Sequence, residues 1–246
     1  MGQCGLIIAC DLSNAFDRVS HDFLFQTLRR MGINEAFVNF LTITMRNAKS
    51  QLSLNGKLSE FFVVQRSVRQ GDPLSMTLFA LYIQPLIDHL VAICNGDGEA
   101  VTVYADDVSI ILKDPSKTQR VINAFREFEL ESGAKLNMRK TIAMKLGAQF
   151  ETPEELAVSD QINILGVTYK RTLQETIQHN WDNLWRYMNA LLWMNRSRKI
   201  DVKQRVWLIN TFICSKLWYM SSIFPPLNPL GSELSSRFQA WNTTLS

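Results

Sequence analysis

The chain is poor in the residues that build zinc sites and disulfide frameworks. Its 246 residues include three histidines and four cysteines (Cys4, Cys10, Cys94 and Cys214), and no two cysteines form a Cys-x-x-Cys pair. That spacing excludes the common zinc patterns and offers no disulfide framework, so the thiols read as reduced and mostly buried, as in an intracellular protein. A long apolar run is also missing. Gln84-Pro85 and Asp88 interrupt the best candidate, so no membrane span is expected. Met1-Gly2-Gln3-Cys4 lacks the basic stretch that opens a secretory signal. No internal repeat or low-complexity segment is visible. The net charge of +3 is too small to name a partner.

What is present is unevenly distributed. Residues 170–246 hold ten Lys or Arg against four Asp or Glu, whereas residues 1–169 hold sixteen against nineteen. An acidic front beside a basic back suits a protein that follows a phosphate backbone, although a solvated helical surface gives the same count. All six tryptophans lie in the basic part, at 181, 185, 193, 207, 218 and 241. Their stripe reads as helix-packing core before it reads as a base-stacking platform. A boundary is expected near residue 172, with residues 1–171 as one domain and 172–246 as a helical region.

Apolar periodicity predicts a helix after Asp11, through Phe16, Val19, Phe23, Leu24, Leu28 and Met31, stopped by Gly32. A second helix is expected over Glu35 to Arg46, with Phe37, Phe40, Leu41 and Ile43 inside. Asn55-Gly56 joins two strands between Gln51 and Gln65. Pro73 opens a buried helix that Pro85 kinks or ends. Thr118 to Ser132 is helical, and Ile142–Lys145 and Ile164–Tyr169 are strands. Asn180–Met194 and Val202–Ser215 read as helices joined by the basic turn 195–199. The order implies an α+β fold, a mixed sheet with helices on one face.

Chemistry concentrates at two places. In the run Ala100 to Leu112, two β-branched segments flank Asp106-Asp107, which reads as a hairpin tipped by carboxylates. Hairpin tips favour Asn-Gly or Asp-Gly because the turn needs positive φ, and here there is no glycine. Adjacent like charges are costly unless a cation neutralises them, and a divalent metal is the natural candidate. The core-type strand Leu6-Ile7-Ile8-Ala9-Cys10 ends in Asp11. A strand-end carboxylate meeting a carboxylate-tipped hairpin outlines a two-metal site for phosphoryl transfer. Read alone, Asp11 serves equally as the N-cap of the helix expected after it.

These residues resemble the reverse transcriptase domain of non-LTR (LINE-type) retrotransposons. Asp11 to Val19 resembles the first catalytic motif. Arg69-Gln70-Gly71-Asp72-Pro73-Leu74-Ser75 resembles the template-and-nucleotide motif. Tyr104-Ala105-Asp106-Asp107 resembles the second catalytic motif. Ser132 to Thr141 resembles the lysine-bearing motif that follows, and Ile164-Leu165-Gly166-Val167 resembles the primer grip. All five stand in the family's order. The resemblance implies a polymerase palm, a mainly antiparallel sheet with helices on one face, followed by a thumb-like helical region. It implies RNA-directed DNA polymerase activity with two Mg²⁺ (Mn²⁺ the alternative ion), an RNA template, a DNA primer or target, and dNTPs.

By the resemblance, Asp11 and Asp106 bridge the metals and Asp107 assists them. Phe16 is the sugar-sensing aromatic that clashes with a 2′-hydroxyl, or else one more core phenylalanine. Gln70 and Gly71 meet the nascent base pair, or simply form a loop-to-helix turn. Arg69 contacts phosphate or template. Lys140 approaches the triphosphate, or is only solvated. Leu165 and Gly166 hold the primer end, or give a strand flexibility. The family places a fingers region before its first motif, but only ten residues precede Asp11. The expectation is therefore a piece of a larger polyprotein, nuclear and cytoplasmic, with weak or no independent activity. The alternative is a non-catalytic nucleic-acid-binding or assembly remnant.

Overall fold

The structure is a computed structural model and describes residues 4–147, 150–195 and 201–225. It begins with strand β1 (Cys4–Asp11) and helices α1 (His21–Arg30) and α2 (Glu35–Arg46). Four two-residue strands follow, β2 (Lys49–Ser50), β3 (Ser53–Leu54), β4 (Lys57–Leu58) and β5 (Phe62–Val63). Next come α3 (Ser75–Ile93), β6 (Ala100–Tyr104), β7 (Asp107–Leu112), α4 (Thr118–Ser132), β8 (Ile142–Gly147), β9 (Ala157–Val158), β10 (Gln161–Ile164) and β11 (Val167–Lys170). The last described elements are α5 (Leu173–Met194), α6 (Val202–Leu208) and α7 (Ser215–Ile223). The chain divides into two compact units at Leu165/Gly166, six residues before the boundary expected at 171/172.

In the first unit, five strands form a sheet in the order β6-β7-β1-β8-β9. β1 lies at its centre, antiparallel to β7 and β8, and only the β8–β9 pair is parallel. Alternation divides β1 between two faces. Leu6, Ile8 and Cys10 are buried, while Ile7, Ala9 and Asp11 are half-exposed. The buried face shares one core with Leu24, Phe25 and Leu28 of α1, Phe79, Tyr82 and Leu86 of α3, and Phe125 and Phe128 of α4. Edge-to-face contacts of Phe23 with Tyr82 and Phe128, at centroid distances of 5.4 and 5.5 Å, tie these helices together.

Several sequence expectations change here. The helix after Asp11 does not begin until His21, and its cap is Ser20, whose Oγ accepts a hydrogen bond from the Phe23 N–H. Asn14 adopts φ 48° and its carbonyl accepts from the Asp17 and Arg18 N–H groups, so residues 13–18 are turns and Asp11 is no helix cap. In α2 the inward residues are Val38 and Leu41, while Phe37, Phe40 and Ile43 are exposed. Helix α3 passes through Pro85 without ending. By length and composition α3 could cross a membrane, contrary to the reading that Gln84-Pro85 and Asp88 exclude it, yet Phe79, Tyr82, Ile83, Leu86 and Leu90 are core residues.

The Asn55-Gly56 hairpin forms as expected, both residues at positive φ. Leu165-Gly166, expected inside a strand, is instead a turn between β10 and β11 with φ 50° and 81°.

The second unit packs Val167, Trp181, Leu184, Met188, Ile213, Met220 and Phe224 into its own core. α5 starts seven residues earlier than its apolar pattern suggests, because the Thr172 side chain caps it through the Glu175 N–H. Buried Asn180 is fully used. Its Nδ2 donates to the Thr168 and Thr176 carbonyls and its Oδ1 accepts from the Thr168 N–H, fixing β11 on α5. The helix expected over 202–215 runs instead through a π-type turn (Ile209–Cys214) into α7. Trp181 and Trp185 serve the core, but Trp193, Trp207 and Trp218 are 63% or more exposed, so the tryptophans are not one packing stripe. Trp241 and most of the basic turn 195–199 lie outside the described residues.

Candidate active site

Register builds the site. Leu6, Ile8 and Cys10 of β1 face Leu112, Ile110 and Val108 of β7 on the buried side. The alternate set pairs Ile7 with Ile111, Ala9 with Ser109, and Asp11 with Asp107. The apolar faces must meet in the core, which fixes the pairing, since a one-residue slip would exchange the two faces. Two carboxylates are thereby held directly opposite each other at the open end of the sheet. Tyr104 and Asp107 close the β6–β7 hairpin around Ala105-Asp106. Ala105 takes φ 54°, the positive φ usually given to glycine, and so resolves the missing glycine at some cost in strain.

Like charges in directly opposed strand positions are unfavourable. The Asp107 carboxyl shows it. Partial desolvation, then the charges of Asp106 and Asp11, push its pKa above the ordinary value. Asp107, assigned only an assisting role from sequence, is thus the strand partner of Asp11, and Asp106 sits beside it on the turn.

The segment before β8 supplies the counter-groups. The Ser13 N–H donates to the Lys135 carbonyl, and the Asn137 N–H to the Asp11 carbonyl, both at 2.8 Å. The chain then turns, with the Lys140 and Thr141 N–H groups and the Thr141 hydroxyl all donating to the Asn137 carbonyl. The turn brings two side chains back to Asp11. Asn137 Nδ2 donates to its Oδ2 at 3.2 Å, and Lys140 Nζ lies 3.6 Å from the same oxygen. Lys140 is 69% exposed, so this ion pair is solvent-screened and open to exchange for another anion. Asn137 was not singled out from sequence. It lay within the lysine-bearing motif, but an asparagine in a turn carries no distinguishing local signal.

The Phe16 ring stacks on Phe79 at 4.7 Å, and its carbonyl accepts from the Val68 N–H at 3.0 Å. Arg69, Gln70 and Gly71 form the exposed approach to α3. The Ser75 hydroxyl and the Asp72 N–H both donate to the Arg69 carbonyl, and Asp72 Oδ1 accepts from the Leu74 N–H. Gly71 has φ 89° and no atom within 4 Å of where a Cβ would stand, so its backbone conformation requires glycine and no packed neighbour does. The Leu165-Gly166 turn lies where the chain passes between units.

Among the described residues, no group of three or more His, Cys, Asp or Glu side chains is placed so that together they could hold a metal ion. Mg²⁺ does not need such a group, because it is commonly held by one or two carboxylates, water and substrate phosphates. Asp11 and Asp107 in paired strand positions, with Asp106 next in the chain, are the carboxylates available for that mode.

Residues 1–169 match the family model of reverse transcriptase (RNA-dependent DNA polymerase). The chain belongs to the reverse transcriptase family. Its curated relatives are non-LTR retrotransposon proteins. It is 26% identical over 245 residues to the transposon TX1 149 kDa protein of Xenopus laevis, covering 94% of this chain and 19% of that protein. It is 33% identical over 143 residues to the Pol polyprotein of the retrotransposable element R2DM of Drosophila melanogaster, covering 56% of this chain and 14% of that one. This reverse transcriptase domain thus spans about a fifth or less of those relatives. In fold it is similar to telomerase from Candida tropicalis solved with a fragment of telomeric RNA, with TM-score 0.56 and 13% identity over 91% of this chain and 40% of that one. The shared fold is the polymerase palm.

Proposed function

We propose that this domain performs RNA-directed DNA synthesis, attaching a dNTP to a primer 3′-hydroxyl with release of pyrophosphate. The observation that carries the reading is the β1–β7 register, which sets Asp11 against Asp107 with Asp106 beside them. Asp11, Asp106 and Asp107 would hold Mg²⁺. When bound, such ions polarise phosphoryl oxygens and lower the pKa of the attacking hydroxyl. The chain's own groups orient and neutralise. Asn137 fixes the rotamer of the Asp11 carboxylate, leaving its other oxygen for a ligand. Lys140 can leave Asp11 for a triphosphate oxygen, since a Mg²⁺ held by Asp11 would take over its charge there. Phe16, braced by Phe79, presents a flat wall to the sugar, and Arg69, Gln70 and Gly71 lie exposed for template and incoming base. The Leu165-Gly166 turn would bear on the primer end.

Primer extension on an RNA template with Mg²⁺ tests this. The chain should extend the primer, and Asp106→Asn should reduce extension by three or more decades, several kcal/mol of transition-state stabilisation. Binding of the RNA–DNA duplex should change less than about threefold, since one carboxylate contributes little to phosphate-backbone affinity. Duplex binding without extension by the unaltered chain would favour a non-catalytic nucleic-acid-binding role. In an active chain, Phe16→Val should admit ribonucleotides, read as a fall of about tenfold or more in the dNTP/rNTP selectivity ratio.

A further inference from the structure

Between α2 and α3 the chain must deliver the Arg69-Gln70-Gly71 loop to the active-site face, and it does so through one unusual residue. Ser67 has φ 108°, a conformation that non-glycine residues rarely adopt. Both of its peptide groups are anchored to the segment that follows Asp11. Its N–H donates to the Val19 carbonyl at 2.9 Å, and its carbonyl lies 2.9 Å from His21 Nε2. A carbonyl can only accept, so Nε2 carries the hydrogen. His21 is 6% exposed at the start of α1. The next residue, Val68, is buried and donates its N–H to the Phe16 carbonyl. The strained residue is therefore flanked by three attachments, to Val19, to His21 and, through Val68, to Phe16.

Packing secures the base of the loop through Val68, but Arg69, Gln70 and Gly71 beyond it are exposed. A cleft of about 220 Å³, walled by His21, Leu41, Val68, Arg69, Ser75 and Leu78, lies against the loop. A loop beside open space is held by its hydrogen bonds, and only a few are available. The Ser75–Arg69 bond fixes the loop's far side to α3. The His21–Ser67 bond, with the backbone bonds of Ser67 to Val19 and of Val68 to Phe16, fixes its near side to the segment carrying Asp11 and Phe16.

We infer that His21 is a positioning residue for nucleotide selection. Its Nε2–H clamps the Ser67 carbonyl, holds Ser67 in its strained conformation, and so sets the distance from Arg69-Gln70-Gly71 to Phe16. This deepens the polymerase reading and rests on it for its kinetic consequence, but the clamp itself can be read without turnover. His21→Phe keeps a ring and removes the donor. His21→Gln removes the ring and keeps a donor at similar reach.

The activity-free measurement is tryptic cleavage after Arg69 in the folded, full chain, with circular dichroism showing that each variant is folded. His21→Phe should be cleaved about tenfold faster than the parent and His21→Gln within about twofold of it, as expected for loss of one partly buried hydrogen bond. The kinetic measurement is single-nucleotide extension. His21→Phe should raise the KM for dNTP about tenfold while kcat stays within about threefold, and His21→Gln should restore the KM. If the parent chain extends no primer, the polymerase reading fails while the cleavage rates still decide the clamp. Cleavage of His21→Phe at the parent's rate overturns the clamp, as does an equal acceleration in both variants, which would assign the effect to ring packing. Parental dNTP KM in His21→Phe overturns its role in nucleotide selection.

Discussion

The two ends of the β6–β7 hairpin treat their carboxylates in opposite ways. At the base, Glu99 precedes β6 with its side chain only 1% exposed. It accepts hydrogen bonds from the N–H groups of Gly96, Lys113 and Asp114 and from Lys117 Nζ at 2.6 Å. Burial alone pushes its pKa up, but the Lys117 hydrogen bond, the Asp114 and Gly96 N–H groups and the Lys117 charge outweigh it, and the value falls from 4.5 to about 2. At the tip, partial burial and the charges of Asp106 and Asp11 raise the Asp107 pKa. One end is complete within the protein, and the other is short of positive charge. Clusters of unrelieved like charge are features of functional sites, and here the fold stabilises the same hairpin at its other end.

The sharpest way to break this comparison is at the base. Glu99→Gln leaves Lys117 without its ionic partner and should cost about 3 kcal/mol of stability near neutral pH, measured by urea unfolding. Extension per folded molecule should be unchanged. The stability that Glu99 supplies belongs to a depressed pKa, so it is present above about pH 4.5 and is lost as pH falls toward about 2. The parent should lose stability across that window, and the variant should lose less of it.

A smaller effect of opposite sign is expected at the tip. Asp107→Asn removes one of three clustered negative charges and should raise stability by about 0.2–1 kcal/mol without added metal. Because the Asp107 pKa is raised, its favourable contribution exists at low pH and disappears as pH rises through the folded value. The gain from the variant should therefore shrink on acidification toward pH 3.8. Mg²⁺ should stabilise the parent more than the variant, read as the shift in unfolding temperature. A destabilised Asp107→Asn would mean that the tip repulsion is already neutralised within the protein.

The two units also differ in how far their sequences revealed them. In the first, the core strand ending in Asp11, the carboxylate-tipped hairpin, the Asn55-Gly56 turn and the helix Thr118–Ser132 were all legible, because each rests on local composition, period or turn chemistry. The stretch after Asp11 misled, since Phe16 and Val19 continue a helical spacing that is in fact two separate pieces joined at Ser20. The second unit was less legible. Apolar content does not say which tryptophans find partners, and Trp193, Trp207 and Trp218 are exposed while Trp181 is buried. Neither Asn137 nor His21 carried a signal, because their partners, Asp11 and the Ser67 carbonyl, are 126 and 46 positions away.

By itself the sequence determined that Asp11 lies on the face opposite Leu6, Ile8 and Cys10, and that Asp106-Asp107 ends a hairpin. Period-two alternation and β-branched flanks require this whatever surrounds them. Only the tertiary structure decided that Asp11 faces Asp107, that Asn137 and Lys140 return to Asp11, and that Ser67 bends against its preference to bring the loop after it toward Phe16. Strand register and strained backbone are set by contacts distant in the chain, where the energy of a shared core outweighs local preference.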